Sequence, residues 1–276
     1  MRKVLIPTDF STNAENAVKY AFEMMRHTAE EVEFILLNTY YQPHGGSSTV
    51  LMSITDILKR DSEIGLKATL KKIRNEGHEE TIRTVPMLGS LCSCIEIMMR
   101  NEDFDLIVMG TLGAGGIKKV LLGSNTSEVV GRIKLPILVV PHEAKYSPPD
   151  NILFTTDLRP TKREREVMSL LDFAAPLNSK IYILNIHQQK HLIDMENAIA
   201  NSGLEKLFKG TDHSYHHRVD KDIIRGIEQF IDDHQIKIVA MIVRHLSFLE
   251  SIFHKSLTRE MAMHTKIPML VLHDSA

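Results

Sequence analysis

The sequence predicts an α/β protein of two tandem domains, each an open five-stranded parallel sheet with helices on both faces. Three observations predict it. Short apolar, β-branched-rich runs alternate with amphipathic stretches. The order of these runs restarts near residue 150, and the restart repeats both the opening and the closing segments of the first half. Strands regularly separated by helices make βαβ units, and βαβ units make a parallel sheet.

In chain order, strand-like runs lie at 4–7, 32–38, 82–86, 106–109 and 137–140. They are apolar along most of their length, as parallel strands buried on both faces are. Between the first two, Ala14, Ala17, Val18, Ala21, Phe22 and Met25 fall at helical spacing, with Thr12 and Glu15 set as a capping box. A longer helix covers 54–74 and stops near Gly77, and two more cover 95–100 and 126–133. These elements fill a first domain, 1–141. Residues 142–149, with Ser147-Pro148-Pro149, read as a linker, and 150–276 form the second domain.

The repeat is direct. Lys3-Val4-Leu5-Ile6-Pro7-Thr8-Asp9 is echoed by Asn151-Ile152-Leu153-Phe154-Thr155-Thr156-Asp157. Leu135-Pro136-Ile137-Leu138-Val139-Val140 is echoed by Ile267-Pro268-Met269-Leu270-Val271-Leu272. The closing echo follows its original at a smaller offset than the opening echo does. The second copy is therefore the shorter one, with a segment lost between its first and fourth strands.

Composition narrows the class. With 43% hydrophobic and 25% charged residues, the chain has the make-up of a soluble globular protein. No apolar run approaches membrane-spanning length. Pro7-Thr8-Asp9 interrupts the N-terminal apolar stretch too early for a secretory signal. Two cysteines one residue apart, Cys92 and Cys94, cannot staple a fold and fit a reducing compartment, so a cytoplasmic location is expected. A net charge of −2 gives no electrostatic case for nucleic acid.

The chemistry concentrates in Gly110-Thr111-Leu112-Gly113, nine residues, then Gly123-Ser124-Asn125-Thr126. Met109 and Gly110 end the fourth strand, and the last group opens the fourth helix, where Asn125 and Glu128 stand at capping-box spacing. Glycines let a backbone approach a ligand and turn with positive φ. A helix N-terminus attracts phosphate through its N–H groups and dipole. Asp9 follows the first strand, so it faces this loop across the point where strand order reverses, where open α/β sheets bind ligands. A carboxylate there can accept hydrogen bonds from ribose hydroxyls or an adenine amino group. There is no P-loop and no G-x-G-x-x-G after the first strand.

The spacing G-x-x-G, nine residues, G-[ST] resembles the ATP-binding signature of the universal stress protein family. The stretch 108–140 is similar to that family's last strand–loop–helix–strand unit, and Val4-Leu5-Ile6-Pro7-Thr8-Asp9-Phe10-Ser11 to its opening. The resemblance spans the chain as a tandem pair. It implies Rossmann-like domains of the adenine nucleotide alpha hydrolase type, strand order 3-2-1-4-5, and pairing of domains through the fifth strand. It implies ATP, AMP or ADP as ligand, with or without Mg²⁺. By that likeness Pro7, Thr8 and Asp9 border adenine and ribose, the backbone around Thr39 lines the base, Gly110, Gly113, Gly123, Ser124, Asn125 and Thr126 hold the phosphates, and Met109 belongs to the same nucleotide-binding set. The implied role is a nucleotide-binding stress regulator with a protein partner the sequence does not identify. A tandem chain can pair its own domains as an internal pseudo-dimer, with further homodimerisation open. Two alternatives are a slow ATPase or nucleotidyl-transfer enzyme and a ligand-free scaffold. No general base or P-loop lysine supports the enzyme.

The second copy departs from the motif. Gly110, Gly113 and Gly123 become Ile242, His245 and Lys255, while Asp157, Ser256 and Thr258 remain. Of 14 glycines, 11 precede residue 149, so the loss is confined to the copy with the altered motif. Nucleotide use by the first domain only is expected.

Other features read more plainly. Ten of the 14 histidines lie in the second half, including His187, His191, His213, His216 and His217, beside Asp212. Strand alternation sends His216 and His217 to opposite faces, so surface histidines outweigh a metal site. Arg244, His245, Lys255 and Ser256 leave open a small-anion site. Cys92 and Cys94 read as small packing residues rather than a redox pair. Lys118 and Lys119 suit either phosphates or a solvated loop face, and Gln42 to Thr49 a surface loop or lid.

Overall fold

The computed structural model describes all residues except 27, 29, 42–47, 112–122, 159–163, 188–198, 200, 201, 244–260, 262–264 and 274–276. The chain forms two compact units, Met1–Glu143 and Ala144–Ala276.

The first unit runs β1 (Arg2–Pro7), α1 (Thr12–Arg26), β2 (Val32–Tyr40), α2 (Ser48–Asn75), β3 (Thr81–Leu88), α3 (Leu91–Met99), β4 (Leu106–Gly110), α4 (Ser124–Arg132) and β5 (Ile137–Val140). All strand pairs are parallel, in the order β3-β2-β1-β4-β5. Val4, Leu5 and Ile6 of β1 and the whole of β4 and β5 are buried, as expected of central strands covered on both faces. Helix α1 turns Ala14, Ala17, Val18, Ala21, Phe22 and Met25 inward, and the Phe22 ring stacks on Phe34 of β2 at 3.9 Å between centroids.

The second unit repeats the plan with β6 (Asn151–Thr155), α5 (Glu164–Ala174) and its 3₁₀ extension (Ala175–Leu177), β7 (Lys180–His187), α6 (Leu204–Leu207), β8 (His213–Val219), α7 (Ile223–Asp233), β9 (Ile238–Val243) and β10 (Met269–His273). Its parallel strands follow the order β8-β7-β6-β9-β10, the 3-2-1-4-5 arrangement again. The repeated prolines hold equivalent places: Ile107 donates its N–H to Pro136 O at 3.0 Å, and Val239 to Pro268 O at 3.0 Å.

Strand register locates the length difference. Asn38 and Asn185 occupy the same place in β2 and β7, still at nearly the opening offset, whereas their cross-strand partners Pro86 and His217 stand at nearly the closing one. The segment missing from the second copy therefore belongs between β2 and β3 of the first, where α2 is 28 residues long. The helix starts at Ser48, well before the expected residue 54. Between 52 and 61 none of its side chains is fully buried, so that stretch carries no core apolar residue.

Two expected caps are replaced. Helix α1 is capped by Ser11, whose Oγ accepts from Ala14 N at 3.2 Å, and Glu15 instead pairs with Lys72 at 2.7 Å. Helix α4 begins at Ser124 with Gly123 as N-cap, so Asn125 is already helical and Glu128 pairs with Arg132 at 2.9 Å. Helix α3 begins at Leu91, earlier than 95, because Ser90 caps it through Ser93 N at 3.2 Å.

Candidate functional site

Parallel pairing brings the carboxyl ends of β1, β2 and β4 to one edge. Leu5 is level with Ile107 and Pro7 with Leu37, so Thr8 and Asp9 emerge beside Gly110 on one side and Thr39 on the other. Strand order reverses between β1 and β4, which makes this edge the switch point of the sheet.

The turn after β1 is tightly specified. Thr8 N donates to Leu37 O at 2.8 Å, Phe10 N to Thr8 Oγ1 at 3.1 Å, and Asn38 Nδ2 to Thr8 O at 2.7 Å. Phe10 adopts φ 63°, a left-handed conformation that costs a bulky residue free energy. Its ring lies against Gly65 of α2, where any Cβ would collide with it. The turn leaves Asp9 exposed, its Oδ1 accepting from Ser11 N at 3.1 Å and Ser11 Oγ at 2.6 Å. Ser11 thus caps α1 and orients Asp9 together.

On the opposite side, Thr126 Oγ1 donates to Gly110 O at 2.8 Å and Gly123 N to Thr111 O at 2.6 Å, tying the start of α4 to the end of β4. Thr126 and Met109 are buried, whereas Ser124 and Asn125 are exposed at the helix start. Gly123 offers no side-chain acceptor at the N-cap, so the first turn of α4 presents N–H groups without a side-chain cap.

Several of these residues have local contacts or backbone angles that the sequence did not indicate. Neither Gly110 nor Gly123 has positive φ; Gly123 sits at φ −56°, ψ 153°. Gly110 is required by packing: a Cβ there would lie 2.6 Å from Asn13 Nδ2 and 3.1 Å from Asn13 O of α1. Thr126 spends its hydroxyl on the Gly110 carbonyl. Gly113, Lys118 and Lys119 lie outside the described residues, as do His191, Arg244, His245, Lys255, Ser256, Thr258 and most of the expected lid at 42–49. Asn38, which holds the turn at this edge, is a residue that sequence reasoning misses, although Leu37-Asn38 recurs as Leu184-Asn185 at the end of two apolar strands.

The second unit reproduces one half of this geometry. Thr156 N donates to Leu184 O at 3.0 Å, Leu158 N to Thr156 Oγ1 at 3.2 Å, and Asn185 Nδ2 to Thr156 O at 2.8 Å, with Leu158 at φ 53°. Asp157 is exposed, as Asp9 is. At the Gly110 position stands Ile242, paired with Leu272 and half-buried.

Other candidates resolve into packing. Burial pushes the Cys92 thiol up to about 11 and Cys94 upward too, so both stay protonated. His216 stacks on Tyr182, meets Phe230 edge-on and lies tilted against His234, while His217 lies beside His187, which ends strand β7 rather than sitting on a helix. No three His, Cys, Asp or Glu side chains among the described residues come together as a metal site. A cleft of about 250 Å³ lies between α1 and α2, bordered by Thr12, Lys19, Lys72, Glu76 and His78. No helix among the described residues is long and apolar enough to cross a membrane.

Comparison with known proteins matches this arrangement. The family model described as "Universal stress protein family" matches residues 1–141. The chain is 31% identical over 146 residues to universal stress protein MJ0531 of Methanocaldococcus jannaschii, covering 50% of this chain and 81% of that protein. It is 28% identical over 154 residues to universal stress protein MJ0577 of the same organism, covering 50% and 94%. In fold, the whole chain is similar to a universal stress protein from Archaeoglobus fulgidus, with TM-score 0.74, 18% identity and 98% of each chain covered. A family model over the first half, a 31%-identical relative and a repeated 3-2-1-4-5 sheet agree: the chain belongs to the universal stress protein family.

Proposed function

We propose that the first unit binds an adenine nucleotide at the carboxyl edge between β1 and β4, and that occupancy regulates binding of a protein partner. One observation carries this reading. An exposed carboxylate held by Ser11 faces, across the switch point, a helix start with a glycine N-cap and exposed Ser124 and Asn125. The carboxylate suits ribose or adenine donors, and the helix start suits phosphate. Pro7, Thr8 and Thr39 border the base and sugar, and Met109, Gly110, Gly113 and Gly123 furnish the backbone of the phosphate loop. Thr126 acts by holding that loop to β4. ATP is the favoured ligand, with AMP or ADP accommodated by the same half-sites and Mg²⁺ accompanying the phosphates where present.

The second unit lacks the loop glycines, so the nucleotide is assigned to the first unit alone. The test is direct: denature the purified protein, identify any released nucleotide chromatographically, then titrate ATP into wild type and Gly113→Asp. Released adenine nucleotide, with affinity lost in the variant through charge repulsion and a blocked backbone approach, is the expected result. Absence of adenine-nucleotide binding by wild type overturns the reading.

A further inference from the structure

The cleft between α1 and α2 carries charges of both signs. Lys19 stands on α1 and Glu76 just beyond the end of α2, and both are exposed along the cleft. Neither side chain makes a hydrogen bond or ion pair among the described residues. Lys72 beside them is already spent on Glu15 at 2.7 Å, a pair that joins the two helices, and Glu76 helps keep that lysine charged. Two opposite charges border one cleft without pairing, so a ligand can pair with each.

His78 adds a buried polar group. It is 3% exposed and borders the cleft, with its ring against Phe22 at 5.0 Å between centroids. Its Nδ1 lies 3.3 Å from Glu80 Oε1. A carboxylate only accepts, so Nδ1 carries the proton, and in the neutral ring Nε2 is left as an acceptor. That nitrogen has no partner among the described residues, yet it is not one of the sealed, unsatisfied atoms. It therefore keeps contact with solvent, and the cleft is the space its side chain borders. Val18, Phe22 and Ile73 form the apolar part of the lining. At about 250 Å³ the cleft is smaller than a drug-sized pocket, so the ligand that fits it is small.

From these groups we infer that the cleft binds a free aliphatic α-amino acid. The ammonium, rich in donors, meets Glu76 and His78 Nε2. The carboxylate meets Lys19, and the alkyl chain covers Val18, Phe22 and Ile73. A simple anion is repelled by Glu76 and a simple cation by Lys19, whereas a zwitterion satisfies both walls. The inference does not depend on nucleotide binding by the first unit.

Titration of the full chain with L-leucine, followed in ¹H–¹⁵N and ¹H–¹³C spectra, tests it. Saturable shifts are expected at the amides of Lys19 and Glu76 and at the imidazole of His78, with one site per chain. L-Leucinamide lacks the carboxylate and N-acetyl-L-leucine lacks the ammonium; each is expected to bind at least about fivefold more weakly. Glycine, without the alkyl chain, is expected to bind about tenfold more weakly. Glu76→Gln is expected to weaken L-leucine about fivefold and to leave N-acetyl-L-leucine unchanged. Lys19→Met is expected to weaken L-leucine to the same degree and to leave L-leucinamide unchanged. Both positions are exposed, so neither change threatens the fold, and the wild-type spectra need no variant at all. The inference is overturned if L-leucine moves none of the three signals or moves only residues outside the cleft. It is equally overturned if either blocked analogue binds as tightly as L-leucine, or if both variants bind L-leucine like wild type.

Discussion

The two units are one pattern worked out twice, and the difference between them separates what the fold needs from what a site needs. Both keep the turn after the first strand, with its asparagine clasp and left-handed residue. Only the first keeps glycine at the end of the fourth strand. A sheet with Ile242 at that place folds in the same strand order as one with Gly110. Glycine there is therefore no requirement of the architecture. It is required by a neighbour particular to the first unit, Asn13, whose amide and carbonyl fill the space a side chain would take.

The largest expected effect follows from that contact. Gly110→Ala sets a Cβ 2.6 Å from Asn13 Nδ2 and 3.1 Å from Asn13 O, and only the first of these can swing aside. Overpacking of this kind costs about 1–3 kcal/mol, and Gly110→Ile, which copies the second unit, exceeds Gly110→Ala. Chemical denaturation of both variants measures it. If Gly110→Ile were neutral, Asn13 would not be the constraint.

Next in size are the paired clasps. Asn38→Ala strands the buried carbonyl of Thr8, and Asn185→Ala that of Thr156. A buried group left without its partner costs about 1–3 kcal/mol. The two costs should differ, however. Among the described residues, Asn185 carries a buried Oδ1 with no partner, which its removal relieves, and Asn38 carries no such stranded atom. Asn38→Ala is expected to be the more destabilising, and equal losses would show that the stranded oxygen has no energetic weight.

Acid should reach the two units at different pH. Burial, then His234 and Lys180, lowers the His216 value below its ordinary 6.5. Folding therefore disfavours the proton, and stability present above pH 6.5 is lost as pH falls below it. The groups around the ring are Tyr182, Phe230, His234, Lys180 and Ser214. In the first unit Arg83, followed by Lys3, holds Glu102 below its ordinary 4.5, so that contribution persists until pH falls below 4.5. Thermal unfolding between pH 7.5 and 5.5 should show a falling midpoint for wild type and a flatter profile for His216→Phe. An unchanged slope would place the acid-sensitive group elsewhere.

Much of this was legible in the sequence. Strand order and domain repeat follow from periodicity and from two echoed segments, because buried strands leave apolar runs bounded by turn residues. Asp9 was legible as a strand-end residue and α4 as a helix, although it begins at Ser124, two residues before the expected start. What the sequence could not show was which neighbour each group faces. Nothing in the sequence says that the Thr126 hydroxyl donates to Gly110 O and ties the helix start to β4. The sequence offers Thr12 as the cap of α1, whereas the helix uses Ser11, which also binds Asp9. Asn38 was hidden because an amide at the end of an apolar run carries no periodicity signal; only its repetition as Asn185 marks it.

The smallest effect concerns the exposed face of α2. Ile57 and Ile64, two turns apart and so on one face of α2, are 57% and 59% exposed, and the intervening Arg60 and Asp61 are exposed as well. Burial of α2 is carried instead by Ser62, Leu66 and Ile73 on the other side. If the insertion is an addition to an already complete sheet, Ile57→Gln and Ile64→Gln should each change unfolding free energy by no more than about 0.5 kcal/mol. Leu66→Ala, on the same helix and 1% exposed, should cost about 2–5 kcal/mol in the same assay. The contrast is internal to one helix, so differences in helix propensity largely cancel. A loss at Ile57 or Ile64 approaching that at Leu66 would mean that this face is covered in solution. The extra segment of the first unit would then belong to its fold rather than decorate it.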